Sequence, residues 1–303
     1  MALRVAGAVL IAKAWRAWVA LMDRREPVTA LALVRILLAS VLLIDYLEVW
    51  HTGLIEPLYT RPPEGFALGA AWLSASSAWA VATVSLVLIA LGAATRFACI
   101  GFVLASAALS HLTPDSESGL DMLARIVFVI LALSRSNAKW SIDAVIWRRL
   151  GRVVPVEIAA WPRYLLLLQL VWVYFSGGLN KSAAAWGPFG GFTALANALS
   201  DPHAARFDPG WLGAIYPLTR VATALTMAFE LGAPLFLLAY AMRWRIRWVW
   251  IALGVSFELG IAVGLRLGSF PFGMLALFPV LVAPEAYARF NARKPAKRAS
   301  LPS

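Results

Sequence analysis

The residues of this chain that could do chemistry are charged side chains inside long apolar segments. Lys181 ends a segment that begins at Tyr164 and holds no other charged residue. Such a lysine is costly in an apolar environment, so it is either an anchor whose ammonium group reaches the membrane surface or a base kept neutral by its surroundings. Glu230 and Glu258 lie within two later apolar segments, where a carboxylate must be paired or protonated. We predict that Lys181, Glu230 and Glu258 are catalytic.

A second group of polar residues is expected at a related depth. It consists of Asp45, Asp121, Arg125 and Asn180. Asp121 and Arg125 are one helical turn apart, so an ion pair between them is expected. We predict that this network lines one cavity open to the outer side, with Lys181 at its mouth and the glutamates at its floor. The alternative is a structural network, whose ion pairs only hold helices together.

Other residues of the apolar segments are expected to have structural roles. Gly177, Gly178 and Gly232 lack side chains that would keep neighbouring helices apart, so they predict close helix packing beside the lysine. Arg35 and Arg220 lie near the ends of their segments. We expect both arginines to extend along the helix toward the membrane surface.

Composition places the chain in a membrane. Of its 303 residues, 61% are hydrophobic and 14% are charged, which excludes an ordinary soluble domain. The net charge of +11 indicates basic loops on the cytoplasmic side rather than nucleic-acid binding. Cys99 is the only cysteine, so no disulfide forms within the chain. The three histidines stand in separate segments without ligand spacing, and we predict no metal site.

Hydropathy predicts an all-α, polytopic helical bundle with about eight transmembrane helices. The predicted spans are 30–50, 78–94, 97–113, 119–134, 164–182, 218–241, 247–265 and 270–284. They divide the chain into an interfacial amphipathic helix (1–29), a transmembrane domain (30–285) and a basic cytoplasmic tail (286–303). The Gly-, Pro- and aromatic-rich segment 182–217 is expected to fold back over the helices.

The charge of the loops predicts the orientation. With this division, 20 lysines and arginines lie on the side of the N-terminus and 3 on the opposite side. Because basic loops are retained in the cytoplasm, both termini are expected there. Lys181 would then lie at the outer end of its helix.

Four segments, in order, resemble a known family. They are LALVRILLASVLLIDYL (31–47), SGLDMLARIVFVILALSRSNAKWSIDA (118–144), YFSGGLNKSAAAW (174–186), and the pair FELGAPLFLL (229–238) and FELGIAVGLRLGSFPFGMLALFP (257–279). Together they resemble the vitamin K-dependent gamma-carboxylase family, in its bacterial branch called HTTM (horizontally transferred transmembrane). The resemblance covers roughly residues 30–285.

The resemblance implies a role for Lys181. In the carboxylase, a lysine at this position is thought to deprotonate reduced vitamin K. The hydroquinone then reacts with oxygen to give a strong base, which removes a proton from a substrate glutamate that adds carbon dioxide. Two positions depart from the family: Ala138 and Glu258 stand where the carboxylase has histidines. We therefore do not expect carboxylation of the animal kind.

The sequence leaves three functions open. The first is a membrane enzyme of the bacterial inner membrane that binds a reduced quinone or a lipid and uses Lys181 as its base. The second is a transporter for a small anion or lipid. The third is a scaffold or accessory subunit, with an unidentified protein partner and no turnover of its own.

Overall fold

The computed structural model describes residues 12–13, 15–59, 74–113, 117–242 and 245–292. It is 78% helical, as an all-α bundle requires. Thirteen of the described helices are numbered here, and the first ten are α1 Thr29–Thr52, α2 Ile55–Tyr59, α3 Ala75–Leu91, α4 Thr95–Leu112, α5 Gly119–Leu133, α6 Ile142–Arg149, α7 Trp161–Asn180, α8 Ala194–Ser200, α9 Leu212–Leu231 and α10 Ala233–Ala241. They are followed by α11 Ile246–Gly264, α12 Phe270–Leu277 and α13 Pro284–Ala292.

Four of the described helices are long and apolar enough to cross a membrane. They are Thr29–Thr52, Thr95–Leu112, Pro209–Leu231 and Ile246–Gly264. Two apolar helices, Ala75–Leu91 and Phe270–Leu281, are shorter. A membrane protein is therefore supported, whereas the count of eight spans is not confirmed.

The packing of these helices divides into two neighbourhoods. In the first, α1 packs against α3 and α12, and α4 lies against both α3 and α5. In the second, α7 packs against α9 and α10, while α9 also contacts α8 and α11. Helix α12 contacts both α1 and α11, so it connects the two neighbourhoods.

A two-stranded antiparallel ribbon departs from the all-α prediction. Strand β1 (Arg25–Pro27) pairs with β2 (Glu157–Ala159), so that Glu26 lies opposite Ile158. Glu26 is buried, and both its carboxylate oxygens accept hydrogen bonds from Arg163 at the start of α7. The ribbon therefore attaches the segment before α1 to the second neighbourhood.

The predicted span 218–241 is two helices rather than one. Helix α9 ends at Leu231 and α10 begins at Ala233, with Pro234 in its first turn. Proline has no backbone N–H to continue the hydrogen bonds of α9. A side chain on Gly232 would come within 2.8 Å of the Trp250 ring, so this position also allows α11 to approach the break.

Arg35 does not extend to the membrane surface as predicted. It is fully buried, and its guanidinium group donates to the carbonyl oxygens of Ile89 (2.6 Å) and Trp140 (2.7 Å). Gly92 makes room for it, because a side chain there would come within 2.3 Å of Nη1. The hydrogen bonds of Arg35 join the end of α3 to the turn before α6, and this replaces the solvation that snorkelling would have provided.

The segment between α7 and α9 folds back over the bundle, as its composition predicts. Helix α8 packs against α9, and the Leu195 N–H donates to Thr223 Oγ1. Arg220 is exposed and donates to the Gly191 carbonyl oxygen at 2.7 Å, so it also holds this segment. Within the predicted interfacial helix, residues 12–13 and 15–22 are helical. Residues 1–11, residue 14 and the tail from 293 lie outside the described residues.

Candidate functional site

Lys181 and Glu230 form an ion pair that joins the end of α7 to α9. This pair is compatible both with a catalytic role for the two residues and with a purely structural one. Lys181 Nζ lies 2.6 Å from Oε1 and 2.5 Å from Oε2 of Glu230. The two side chains are 22% and 5% exposed, respectively. The lysine therefore remains accessible from one side, while its partner is almost completely buried.

Two glycines allow the helices that carry this pair to approach. A side chain on Gly178 would lie 3.0 Å from Glu230 Cβ and 3.0 Å from a Leu231 methyl group, which is tighter than ordinary contact. A side chain on Gly177 would lie 3.7 Å from Glu230 Oε1, an ordinary contact distance. Of the two, Gly178 is the position that close packing requires, in agreement with the sequence prediction.

The surroundings of Lys181 combine a carboxylate with an aromatic ring. Its Nζ lies 5.0 Å from the centre of the Trp186 ring, a geometry that attracts a cation. Leu179, two residues before the lysine, is exposed and does not cover it. A carboxylate and an aromatic face both stabilise an ammonium group, so an uncharged lysine requires its proton to move to a neighbour.

Glu258 approaches the same cluster from α11. It is fully buried, and Tyr174 donates a hydrogen bond of 2.5 Å to its Oε1. Oε2 has no hydrogen-bond partner among the described residues. A buried carboxyl group with one oxygen unpartnered is costly, and such costs concentrate at functional sites. Glu258 is thus linked to the cluster by its hydrogen bond with Tyr174 and not by one with Lys181.

Tyr174 is the member of this cluster that sequence reasoning missed. It lies seven residues before Lys181, which places both on one face of α7. Its ring packs edge-on against Phe229, with centroids 4.9 Å apart, and also contacts Phe257. The helical spacing from Lys181 was a signal that could have identified it.

An apolar cavity of about 620 Å³ lies beside the cluster. It is formed mainly by α8, α9 and α11, and its wall includes Phe229 and Phe257. Each of these phenylalanines directly precedes one of the two glutamates, within the tetrapeptide FELG that occurs at 229–232 and at 257–260. Lys181, Glu230 and Glu258 do not line the cavity themselves, so Phe229 and Phe257 are the wall residues that connect it to the cluster through their contacts with Tyr174.

Asp45, Asp121 and Arg125 line a different cavity. Its volume is about 330 Å³, and it lies between the first-neighbourhood helices and the start of α12. No described residue lines both this cavity and the apolar one. Asn180 is exposed and lines neither. The described residues therefore do not show the single polar network that the sequence predicts.

The predicted ion pair between Asp121 and Arg125 does not form. Asp121 instead completes a capping box at the start of α5, where its Oδ2 accepts from the N–H and hydroxyl of Ser118. Arg125 pairs with Glu117 and also donates to Ser106 Oγ. The unpaired N–H groups at a helix start attract an acidic side chain, and here they outcompete an arginine one turn away.

The remaining residues singled out by sequence lie elsewhere. Ala138 is buried in the short turn Ser136–Ala138, close to the Arg35 hydrogen bonds and in a different neighbourhood from Lys181. Cys99 is buried. No group of three metal-binding side chains occurs in the described part of the chain.

Comparison with known proteins gives one match. No curated protein and no solved structure matches the chain. The family model described as "HTTM domain" matches residues 24–285. This match begins before α1 and therefore includes the β1 strand, whose Glu26 holds Arg163. Because it spans most of the chain, the protein belongs to the HTTM domain family, a membrane-protein family related to the vitamin K-dependent carboxylase.

Proposed function

We propose that this protein is a membrane enzyme that binds a reduced quinone or a similar lipid and uses Lys181, together with Glu230, as the proton acceptor. The apolar cavity would hold the body of the ligand, and its polar head would face the ion pair. The observation that carries the proposal is that Phe229 lines this cavity, directly precedes Glu230 of the ion pair, and packs against Tyr174, which donates to Glu258.

The ion pair can supply a base without a change in net charge. In the charged form, the proton is on Lys181 and Glu230 is a carboxylate. Transfer of that proton over the hydrogen bond of 2.5 Å gives a free amine and a neutral acid. The amine can then accept a proton from a ligand hydroxyl, and neither step leaves an unpaired charge in an apolar region.

The cavity suits an apolar ligand that arrives from the membrane. Its volume falls within the range of small-molecule sites. Leu225 of α9 and Val263 of α11 line it and are also exposed on the outside of the bundle, where lipid would surround a membrane-spanning helix. A quinone with an apolar tail can therefore reach this site without crossing water.

The topology is part of the proposal. Eight spans with both termini in the cytoplasm, in the inner membrane of a bacterium, agree with the charge bias of the loops. In that orientation the end of α7 that carries Lys181 faces the outer side.

Oxygen uptake and epoxide formation by purified protein supplied with a reduced quinone test the proposal. We expect activity in the wild type and its loss in Lys181→Ala, because Lys181 is the one amine among the described residues that pairs with Glu230. Arg266→Ala is the matched control, since it removes an exposed cation that lines neither the ion-pair cluster nor the apolar cavity. Equal activity in wild type and Lys181→Ala, or none in the wild type with several quinols, would reject the base role.

A second candidate function is a scaffold in which the pair is structural. It is favoured by the complete pairing of Glu230 with Lys181, which leaves both carboxylate oxygens occupied. In that case Lys181→Met should reduce stability and leave the activity of a partner protein unchanged. A folded Lys181→Met variant that abolishes the partner's activity would exclude this candidate.

A further inference from the structure

A cavity with basic walls lies at the opposite end of the bundle from Lys181. It has a volume of about 420 Å³ and is formed around the start of α4, the turn after α5, and α6 with the residues that follow it. Arg96, Arg135 and Arg152 line it, together with the indole of Trp147. All three arginines belong to the group of loops whose basic character predicts the cytoplasmic side.

The three guanidinium groups are available to a ligand. None of them forms an ion pair with a described residue. The one acidic residue in the wall, Asp143, is already occupied: it accepts from the N–H groups of Ala94 and Thr95, from the Thr95 hydroxyl and from the Asn137 side chain. The cavity therefore presents three positive charges and one negative charge that is fully hydrogen-bonded.

The protonation state of Asp143 supports this charge balance. Burial raises its pKa, but the hydrogen bonds from Asn137, Thr95 and Ala94 outweigh burial and hold the pKa below its usual value. Asp143 therefore stays ionised at neutral pH and caps the start of α4. Because its oxygens are used there, the helix N-terminus is not open to a second anion.

An exposed apolar strip begins at the edge of this cavity. Phe97 lines the cavity and is 79% exposed. Ile100 and Leu104 follow it on the same face of α4 and are exposed as well. On α5, Val129 and Leu133 are also exposed toward the same end. The strip is therefore continuous with the cavity, and it faces lipid if α4 crosses the membrane.

We propose that this cavity binds the phosphate of an anionic phospholipid, whose acyl chains lie along the apolar strip of α4. Three arginines match the charge and the several acceptor oxygens of a phosphodiester. A soluble phosphate would use the arginines alone, whereas a lipid also covers Phe97, Ile100 and Leu104. The continuity of the basic cavity with the apolar strip therefore favours the lipid. This inference is independent of the reaction at Lys181.

Native mass spectrometry of the full-length protein, released from equimolar phosphatidylglycerol and phosphatidylcholine with matched acyl chains, tests the proposal. We expect the wild type to retain phosphatidylglycerol in preference to phosphatidylcholine. The variant Arg96→Gln/Arg135→Gln/Arg152→Gln should weaken that preference about tenfold or more, because each basic side chain near an anionic lipid surface contributes measurably. The control Arg148→Gln/Arg149→Gln/Arg245→Gln, which removes three exposed charges that do not line the cavity, should keep the preference.

Several results would overturn the proposal. An unchanged preference in the cavity variant would show that the lipid binds elsewhere, and an equal loss in both variants would show diffuse attraction to basic loops. Displacement of phosphatidylglycerol by inorganic phosphate at similar concentration would show that the cavity is a soluble-anion site. Should the triple variant not fold, the thermal stability of the wild type decides: phosphatidylglycerol should raise the melting temperature more than phosphatidylcholine or inorganic phosphate, and equal effects reject a specific site.

Discussion

Two ion pairs at opposite ends of α7 differ in how many protein groups hydrogen-bond to their charged side chains. At the start of the helix, Glu26 accepts from Arg163 Nε (2.6 Å), from Arg163 Nη2 (2.7 Å) and from the Tyr164 hydroxyl. The remaining Arg163 nitrogen donates to Tyr240 and to the Val280 carbonyl oxygen. At the other end, Lys181 is the only described donor to Glu230, and it remains partly exposed.

The difference separates a structural contact from a candidate reactive one. The Glu26–Arg163 pair has its charges and hydrogen bonds satisfied by protein groups. The Lys181–Glu230 pair lies beside an apolar cavity and near Glu258, which has one unpartnered oxygen. The first pair holds β1, α7 and α10 together, whereas the second leaves Lys181 partly exposed and lies near the unpartnered Oε2 of Glu258.

Breaking the saturated pair should have the largest effect on stability. Arg163→Met leaves the Glu26 carboxylate buried without a cation, so we expect a loss of about 3–5 kcal/mol in the free energy of unfolding. Unfolding in detergent, followed by circular dichroism, measures it. The double variant Glu26→Gln/Arg163→Met should recover part of the loss, since the uncompensated charge is gone. A loss below about 1 kcal/mol in the single variant would show that the pair is not structural.

The two glycines behind Lys181 test the packing of the second pair. Gly178→Ala introduces a methyl group 3.0 Å from Glu230 Cβ and Leu231, so we expect it to cost about 1–3 kcal/mol. Gly177→Ala is the matched control, because its nearest neighbour would lie at 3.7 Å. Thermal unfolding of both variants in the same detergent compares them. Equal melting temperatures would contradict close contact between α7 and α9 at this point.

The unsaturated carboxyl group should tolerate a change that a saturated one does not. Glu258→Gln keeps an oxygen to accept from Tyr174 and replaces an oxygen that already has no partner. We expect a stability change within about 1 kcal/mol, whereas Tyr174→Phe removes the remaining hydrogen bond and should cost about 1–3 kcal/mol. Denaturant unfolding measures both. A larger loss in Glu258→Gln than in Tyr174→Phe would mean that Glu258 has a partner that this geometry does not show.

Asp143 is a carboxylate outside the apolar segments whose oxygens are fully hydrogen-bonded, and its substitution should have the smallest effect on stability. Its folded-state pKa is lowered by its hydrogen bonds, so its contribution to stability is present above the unfolded pKa of about 4 and is lost as pH falls through the folded value. Asp143→Asn should therefore lower the melting temperature at pH 7. The difference from the wild type should shrink below about pH 4. A difference that does not depend on pH would exclude the charge as its cause.

The sequence predicted that Lys181 and the glutamates need partners, but it did not identify which residues pair. A lysine and a glutamate within apolar segments must find partners, and spacing does not distinguish Glu230 from Glu258 as the partner of Lys181. The i,i+4 spacing of Asp121 and Arg125 failed because Ser118 and the start of α5 offered the carboxylate better donors. The sequence predicted Arg35 at the membrane surface, whereas its guanidinium group fills the space beside Gly92. That space exists only because of how α1 packs against the end of α3, which the sequence does not specify. Contacts within one helix follow from spacing, but contacts between helices depend on packing that spacing alone does not specify.

Photo-crosslinking with a light-activated quinone tests the central claim most directly, because it reports the position of the ligand without requiring turnover. Purified wild-type protein is labelled and digested, and the modified peptides are identified by mass spectrometry. We predict labels in α9 and α11 around Phe229 and Phe257, with labelling reduced in Lys181→Ala and unchanged in Arg266→Ala. Labels around Asp45 and Asp121 instead, or equal labelling of Phe229 and Phe257 in wild type and Lys181→Ala, would contradict a quinone site at the Lys181–Glu230 pair.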